Sequence, residues 1–398
     1  MKNKSADNGI IPLLDNIYLI FFALFIAMAF LNTTTFEIEW PVYLYNDLRA
    51  LLFVVILLRI GYGCTYSKKE IIFIGIIGIV FFLCINRKGY DEFKNMFLLI
   101  LGAKDIPLKK IIRVYFIVSA SLLIITMFAA LMGRIDNLFY YQGSRRRRIA
   151  MGIIYPTDFS AHVFFIILCY VFLRRENILY IELLGVFIAG LVVYWLTDAR
   201  LNTVCILLIS LVFTFHKWIS NKSKKQGKIY KRNSLFSLFL ALTPVFAATF
   251  MIILSAFYDS ENKVMNFLNK IINNRFSQSH KAIKIYGFSL LGQSIPMQGY
   301  GGTTELPKHY FYLDSSYINI IMRYGILLLM CVLLIWIVIS FRAREQNDLI
   351  LLWIVTLISL QCMIEHHMIE IAYNPFIWGV LADTALTKRI PFRNKQKL

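Results

Sequence analysis

The sequence predicts an all-α polytopic integral membrane protein that folds as a single domain over residues 1–398. Hydrophobic residues make up 58% of the chain and charged residues only 16%, a balance that soluble globular domains do not show. Long apolar runs also recur from one end to the other, and most have the length that a membrane-spanning helix needs. No polar stretch is long enough to build a second core.

Twelve apolar segments predict about twelve transmembrane helices. They are 14–32, 46–62, 71–85, 93–103, 112–132, 159–173, 178–196, 201–219, 235–257, 315–340, 349–365 and 370–386. The fourth is short for a span. The opening residues lack the small-residue cleavage site of a signal peptide, so we expect the first apolar run to remain as a helix.

The basic connectors predict the orientation. Residues 217–234 carry seven Lys and Arg and no acid, which is typical of a cytoplasmic loop. The tail 388–398 adds five more, and an even number of crossings then places both termini in the cytoplasm. Two longer loops, 133–158 and 258–314, become extracytoplasmic. Their basic residues therefore need an explanation other than topology.

Net charge and cysteines exclude other classes. The formal charge of +19 would suggest nucleic acid in a soluble protein, but here much of it follows from topology, and we expect no nucleic-acid partner. The six cysteines are isolated and lie in or beside apolar runs, with no CxxC pair. The pattern excludes a disulfide framework and a cysteine zinc site.

Four consecutive arginines, 145–148, begin the first candidate segment, "RRRRIAMGIIYPTDFSAH". Arginine binds phosphate through planar, bidentate hydrogen bonds, so we expect Arg147 and Arg148 to bind an anion. Asp158 and His162 follow, four residues apart and hence on one helix face. The alternatives are a headgroup anchor or a solvated run for the arginines, and mutual hydrogen bonding for the second pair.

The second candidate segment is "WLTDARLN" (195–202), where Asp198 and Arg200 stand between two apolar runs. Their position between two spans places them at membrane depth. Ionisable residues there are costly and usually face the interior of a bundle. An ordinary interface salt bridge is the alternative.

The third candidate segment is the long loop 258–314 with the helix that follows. It contains Arg275, the glycines Gly299 and Gly301 of "GYGG", and His309. The glycines permit close backbone approach, but no Lys-Ser/Thr element makes this a phosphate loop. Further candidates are the sugar-stacking aromatics Tyr312 and Tyr317, the helix-start carboxylate Asp314, and Arg323, predicted to lie inside an apolar helix. An interfacial aromatic belt and a helix cap are the alternatives for the tyrosines and for Asp314.

The fourth candidate segment is "EHHMIEIAYNP" (365–375), which contains Glu365 and His366. The spacing is not that of a zinc-protease HExxH motif. A helix turn with its polar groups satisfied by neighbours is the alternative.

These four segments resemble, in the same order, motifs of the Wzy-type family, which polymerises lipid-linked repeat units of capsule, exopolysaccharide or O-antigen. The resembling stretches are "RIAMGIIYPTDFSAH", "LTDARLN", "GYGG…YLDSSYINIIMRYGI" and "EHHMIEIAYNPF". One departure is Asp314, which stands where the related O-antigen ligases usually have His.

The resemblance implies a multi-pass glycosyltransferase of the bacterial cytoplasmic membrane. Its substrate would be an undecaprenyl-pyrophosphate-linked oligosaccharide in contact with membrane lipid, and it would need no cofactor and no metal. Arginines would stabilise the leaving pyrophosphate, and Asp314 is the favoured proton acceptor, with His309, His366 and Glu365 as reserves. A flippase and a chain-length regulator are the expected partners.

Two other functions stay open. A glycan ligase would transfer the finished chain by nearly the same chemistry. A lipid-linked oligosaccharide flippase would have a similar number of helices, but it needs a cationic cavity through the membrane and little external loop. The long external loop 258–314 does not fit that requirement.

Overall fold

The computed structural model describes residues 7–62, 64–85, 91–141, 146–225, 235–300, 302–305 and 307–385. It is 71% helical, and seven helices of the described residues are long and apolar enough to cross a membrane. The prediction of an all-α polytopic membrane protein is confirmed. The number of twelve spans and the orientation of the termini stay predictions.

Fourteen α-helices form within the described residues. They are α1 (Asp7–Leu31), α2 (Val42–Gly61), α3 (Lys68–Ile85), α4 (Asp91–Gly102), α5 (Leu108–Leu131), α6 (Pro156–Arg174), α7 (Tyr180–Thr197), α8 (Arg200–Lys225), α9 (Leu235–Ala256), α10 (Lys263–Ile271), α11 (Arg275–Tyr286), α12 (Ser316–Arg323), α13 (Ile326–Glu345) and α14 (Leu349–Gln361). Strands β1 (Phe139–Tyr140) and β2 (Arg148–Ile149) pair antiparallel, with Tyr140 opposite Arg148.

Hydrogen bonds define the two ends of the helix bundle. At one end α5, α7 and α9 stop and α6 and α8 begin, and there Asn202 Nδ2 donates to the carbonyl of Thr157 at 3.1 Å. We call this the site end. At the opposite end Arg175 pairs with Asp348 at 2.7 Å, which joins the end of α6 to the start of α14.

The C-terminal part of the bundle is a re-entrant segment, residues 349–385. Helix α14 has 13 residues and rises about 20 Å, less than the ~30 Å of a bilayer core. The chain then turns back through the 3₁₀ helices His367–Ile369 and Pro375–Val380. Gln346 Nε2 donates to Thr384 Oγ1 at 3.0 Å, so the return ends where α14 began.

The return stretch differs from the predicted helix over 370–386. Its described residues form no α-helix, because Pro375 has no N–H to continue an α-helical ladder. Its apolar side chains, among them Phe376 and Trp378, are fully buried in the bundle and do not face lipid. Apolar composition alone does not distinguish a stretch buried in the bundle from a spanning helix that faces lipid.

The predicted segment 315–340 is also divided, into α12 and α13, at Gly325. Gly325 has φ +96°, and a Cβ there would lie 2.4 Å from the backbone nitrogen of Gly292. Gly292 has φ +82°, and its Cβ would lie 2.3 Å from the carbonyl oxygen of Arg323. Two glycines are thus required where the backbones touch. Arg323 is the last residue of α12, so the prediction that it lies inside a spanning helix is wrong.

The predicted loops carry structure of their own. Within 133–158 lie β1, β2 and the start of α6, and within 258–314 lie α10 and α11. The basic stretch 217–234 begins as the last turns of α8, and its remainder, 226–234, lies outside the described residues. All six cysteines are buried.

Candidate functional site

A cavity of about 380 Å³ at the site end brings all four candidate segments together. Its wall contains predicted residues from each: Arg148, Asp198, Arg200, Arg275, Asp314 and Glu365. With Lys270, the lining carries four cations and three carboxylates. Segments separated by more than 200 residues in sequence therefore form one charged site.

Arg148 enters the cavity from β2. Its Nε donates to the carbonyl of Thr197 at 2.8 Å and its Nη1 to the Tyr155 hydroxyl at 3.2 Å, and the residue is 3% exposed. Arg147 is exposed and lies over the Phe139 ring at 4.7 Å, because neighbours on a strand point to opposite faces. Of these two predicted anion ligands, only Arg148 lines the cavity. Arg145 lies outside the described residues.

The turn between α7 and α8 holds Asp198 and Arg200. Asp198 is buried and adopts a left-handed conformation (φ 46°) that ends α7. Its Oδ1 lies 3.6 Å from Arg200 Nε and 3.9 Å from Arg146 Nη2. The side chain of Arg200 is 60% exposed. Buried Asp198 thus contacts two largely exposed arginines, of which Arg200 lines the cavity.

Arg275 and Asp314 form an ion pair inside the cavity, and each side chain is only 13% exposed. Arg275 is the first residue of α11, and Asp314 lies two residues before the start of α12. The pair therefore joins the start of α11 to the start of α12.

A second cavity of about 320 Å³ adjoins the first. Predicted residues Asp158, Gly299, Tyr312 and His366 line it, and Asp314 lines both cavities. Tyrosines also line both: Tyr155, Tyr300 and Tyr310. The rings of Tyr155 and Tyr300 stack with centroids 5.2 Å apart. An apolar aromatic wall with a few polar groups is typical of a small-molecule site.

Glu365 and His367 lie in the connecting stretch after α14, outside the spanning helices. Glu365 accepts a hydrogen bond from Asn202 Nδ2 at 3.0 Å, and burial raises the pKa of this carboxyl to about 7. Burial lowers the pKa of His367, but the attraction of Glu370 and Asp158 outweighs it and raises that pKa to about 10. The ligand atoms of Glu365, His366 and His367 lie within 4.8 Å of one another. These three residues are the group that could hold a metal ion.

Several predicted site residues lie outside both cavities. His162 is fully buried, and its ring stacks on Tyr373. Its Nε2 lies 2.9 Å from Thr33 Oγ1. Tyr317 is a core residue that donates to the carbonyl of Ser359 at 3.0 Å. His309 is exposed, and Arg323 packs over the Tyr324 ring at 5.1 Å. Gly301 lies outside the described residues.

Other lining residues were not predicted. Tyr155, Asn202, Lys270 and Tyr300 reach the cavities from four different elements. Only Asn202 had a usable signal, as an amide among apolar residues immediately after Arg200. Tyr155 and Tyr300 lie within the quoted stretches "RRRRIAMGIIYPTDFSAH" and "GYGG", but their sequence neighbours do not show that they line a cavity. Lys270 has no distinctive neighbour, and only the fold brings it to the site.

The fold and the cavities together define a polytopic membrane protein with a charged, aromatic-walled site at one end of its helix bundle. No protein-family model, no curated protein and no solved structure matches the chain. Its function is therefore argued from the site.

Proposed function

We propose that the chain is a membrane glycosyltransferase that polymerises undecaprenyl-pyrophosphate-linked oligosaccharide repeat units at the outer face of a bacterial cytoplasmic membrane. The observation that carries the proposal is an arginine-lined cavity next to a tyrosine-walled one, at the ends of the spanning helices. A lipid-linked donor has the same order of groups: an anion at the membrane surface, then sugars.

In the proposed reaction a sugar hydroxyl of one lipid-linked unit attacks the anomeric carbon of another. The new C–O bond forms as the bond from that carbon to the pyrophosphate oxygen breaks, and the lipid pyrophosphate leaves with the electron pair. Arg148, Arg200 and Arg275 line the cavity where this charge would develop. Positioned donors of this kind lower the barrier by about 2.7–4 kcal/mol each.

The hydroxyl proton needs an acceptor, and Asp314 is the best placed. It lines both cavities, so it would lie between the pyrophosphate and the sugars. Before substrate binds, Arg275 occupies its carboxylate. A pyrophosphate that draws Arg275 toward itself would release Asp314 to accept the proton, a role worth about 10²–10⁴-fold in rate. Glu365 and His366 also face the cavities and remain reserves, whereas the exposed His309 has no such support.

The alternatives make different demands on the molecule. A ligase would use the same groups on a different acceptor. A flippase needs a continuous polar path between the two ends, whereas the predicted site residues gather in two cavities at the site end. A flippase and a chain-length regulator remain the proposed partners.

The test is polymerisation by the purified full chain in liposomes containing the lipid-linked repeat unit. A polymerase produces a glycan ladder with release of undecaprenyl pyrophosphate. Arg275→Ala is expected to abolish the ladder, while Lys281→Ala, an exposed change on the same helix, leaves it intact. Transfer only to an added acceptor would identify a ligase. Translocation without any new glycosidic bond would identify a flippase and refute the proposal.

A further inference from the structure

His367 is oriented as a metal ligand would be. Its side chain is 1% exposed, and Nδ1 lies 2.7 Å from Glu370 Oε2. Within the described part of the chain the other ring nitrogen, Nε2, is buried and has no hydrogen-bond partner. A histidine ligand typically donates one N–H to a carboxylate, which fixes the ring and aims the other nitrogen at the metal.

Asp158 lies about as far from His367 Nε2 as two ligands of one metal ion lie from each other. Asp158 Oδ1 is 3.6 Å from His367 Nε2, which is too long for a hydrogen bond. Two ligands with bonds of about 2.0–2.2 Å to one tetrahedral ion lie roughly 3.4 Å apart. The gap between Asp158 and His367 therefore has the size that a shared ion would fill.

Two further ligand groups border the same place. His366 Nδ1 is also buried with no hydrogen-bond partner among the described residues. One ligand atom each from Glu365, His366 and His367 lies within 4.8 Å of the others. This limit exceeds the roughly 3.4 Å separation in a bound site by about 1.4 Å, a difference that side-chain rotation can close.

We propose that Asp158, Glu365, His366 and His367 bind one divalent transition-metal ion of the zinc class. Two imidazoles and two carboxylates form a nitrogen and oxygen donor set that suits such ions, and the two carboxylates balance the charge. Asp158 is on α6 and the other three follow α14, so the ion would fasten the re-entrant segment to α6. Glu365 also lines the arginine cavity, but the proposal does not rest on the proposed function.

The test is the metal content of the purified full chain, measured by inductively coupled plasma mass spectrometry after preparation without chelators. We expect about one zinc-class ion per chain. His367→Ala and Asp158→Ala should each lower the content more than about tenfold, whereas His309→Ala, at an exposed histidine outside the cluster, should not. Since the ligand variants can misfold, Glu370→Gln offers a second route. It leaves every proposed ligand in place and should weaken affinity about 10–100-fold.

Cobalt substitution supplies an independent readout. Co²⁺ in the proposed site should give the intense visible absorption of a tetrahedral N/O complex, and His367→Ala should lose that absorption. A metal-free protein that also takes up no Zn²⁺ or Co²⁺ would overturn the proposal and identify His367 as an imidazolium between Asp158 and Glu370. Equal metal content in the wild type and all variants would identify an adventitious ion only, and would also overturn it.

Discussion

Replacing Arg148 by lysine separates the geometry of this side chain from its charge. The guanidinium uses Nε on the carbonyl of Thr197 and Nη1 on the Tyr155 hydroxyl, so it is held rigidly at the cavity wall. A lysine ammonium is a single point charge and does not reproduce this fork. Arg147→Lys, one residue away on the exposed face, is the matched control.

Two losses follow for the Arg148→Lys protein. One hydrogen bond from a charged donor contributes about 1.5–3 kcal/mol to stability, so losing either contact should lower the free energy of unfolding by that amount. If the fork also stabilises the leaving pyrophosphate, polymerisation should slow by about 10²–10³-fold. Arg147→Lys should change neither quantity by a measurable amount.

The assay is the glycan ladder from cells carrying each variant at matched protein levels, with single lipid-linked units quantified beside it. Arg148→Lys should leave single units and little polymer. A full ladder from Arg148→Lys and from Arg148→Ala would refute the role of this residue. A lost ladder from Arg147→Lys would show that the exposed arginine just before β2 is the functional one.

Three further predictions concern the base, the backbone and the topology. Asp314→Asn should keep substrate bound but stop polymer growth, and normal chain lengths would remove Asp314 from the proton-acceptor role. Gly292→Ala should lower the melting temperature because its Cβ would collide with backbone, whereas Gly185→Ala, with nothing within 4 Å, should not; equal melting temperatures would contradict the close contact. Ser294→Cys should react with an impermeant thiol reagent in intact cells and Glu345→Cys, at the opposite end, only after permeabilisation; the reverse pattern would place the site in the cytoplasm.

The sequence predicted much of the charged cavity because burying charge is costly. Arginines and carboxylates between apolar runs have few places to lie except against one another. Asp198 and Arg200 are identifiable on that ground, whereas Arg148 and Arg275 were singled out in predicted loops whose basic residues topology does not explain. All four line one cavity.

The remaining differences between prediction and structure arise mainly because an apolar residue can either face lipid or pack in the core, and the sequence does not show which. Trp378 is as hydrophobic as a lipid-facing side chain but is buried within the return stretch. Tyr317 begins a helix as an interfacial tyrosine would, but α12 turns it into the core. Arg323 was predicted inside a span because the break at Gly325 depends on contact with Gly292, 33 residues earlier in the chain.

The re-entrant segment has a consequence for biosynthesis. Because 349–385 begins and ends at the end opposite the site, its turn must carry Glu365 and His366 through the bundle to the site end, where they lie buried against polar partners and not against lipid. The segment docks on α9 and α13, which leave the ribosome before it. A nascent chain that stops before Glu365 already holds the seven described helices that are long and apolar enough to span, yet it lacks His366, His367 and one wall of the cavity. Membrane insertion and completion of the site are thus successive steps in the synthesis of this protein.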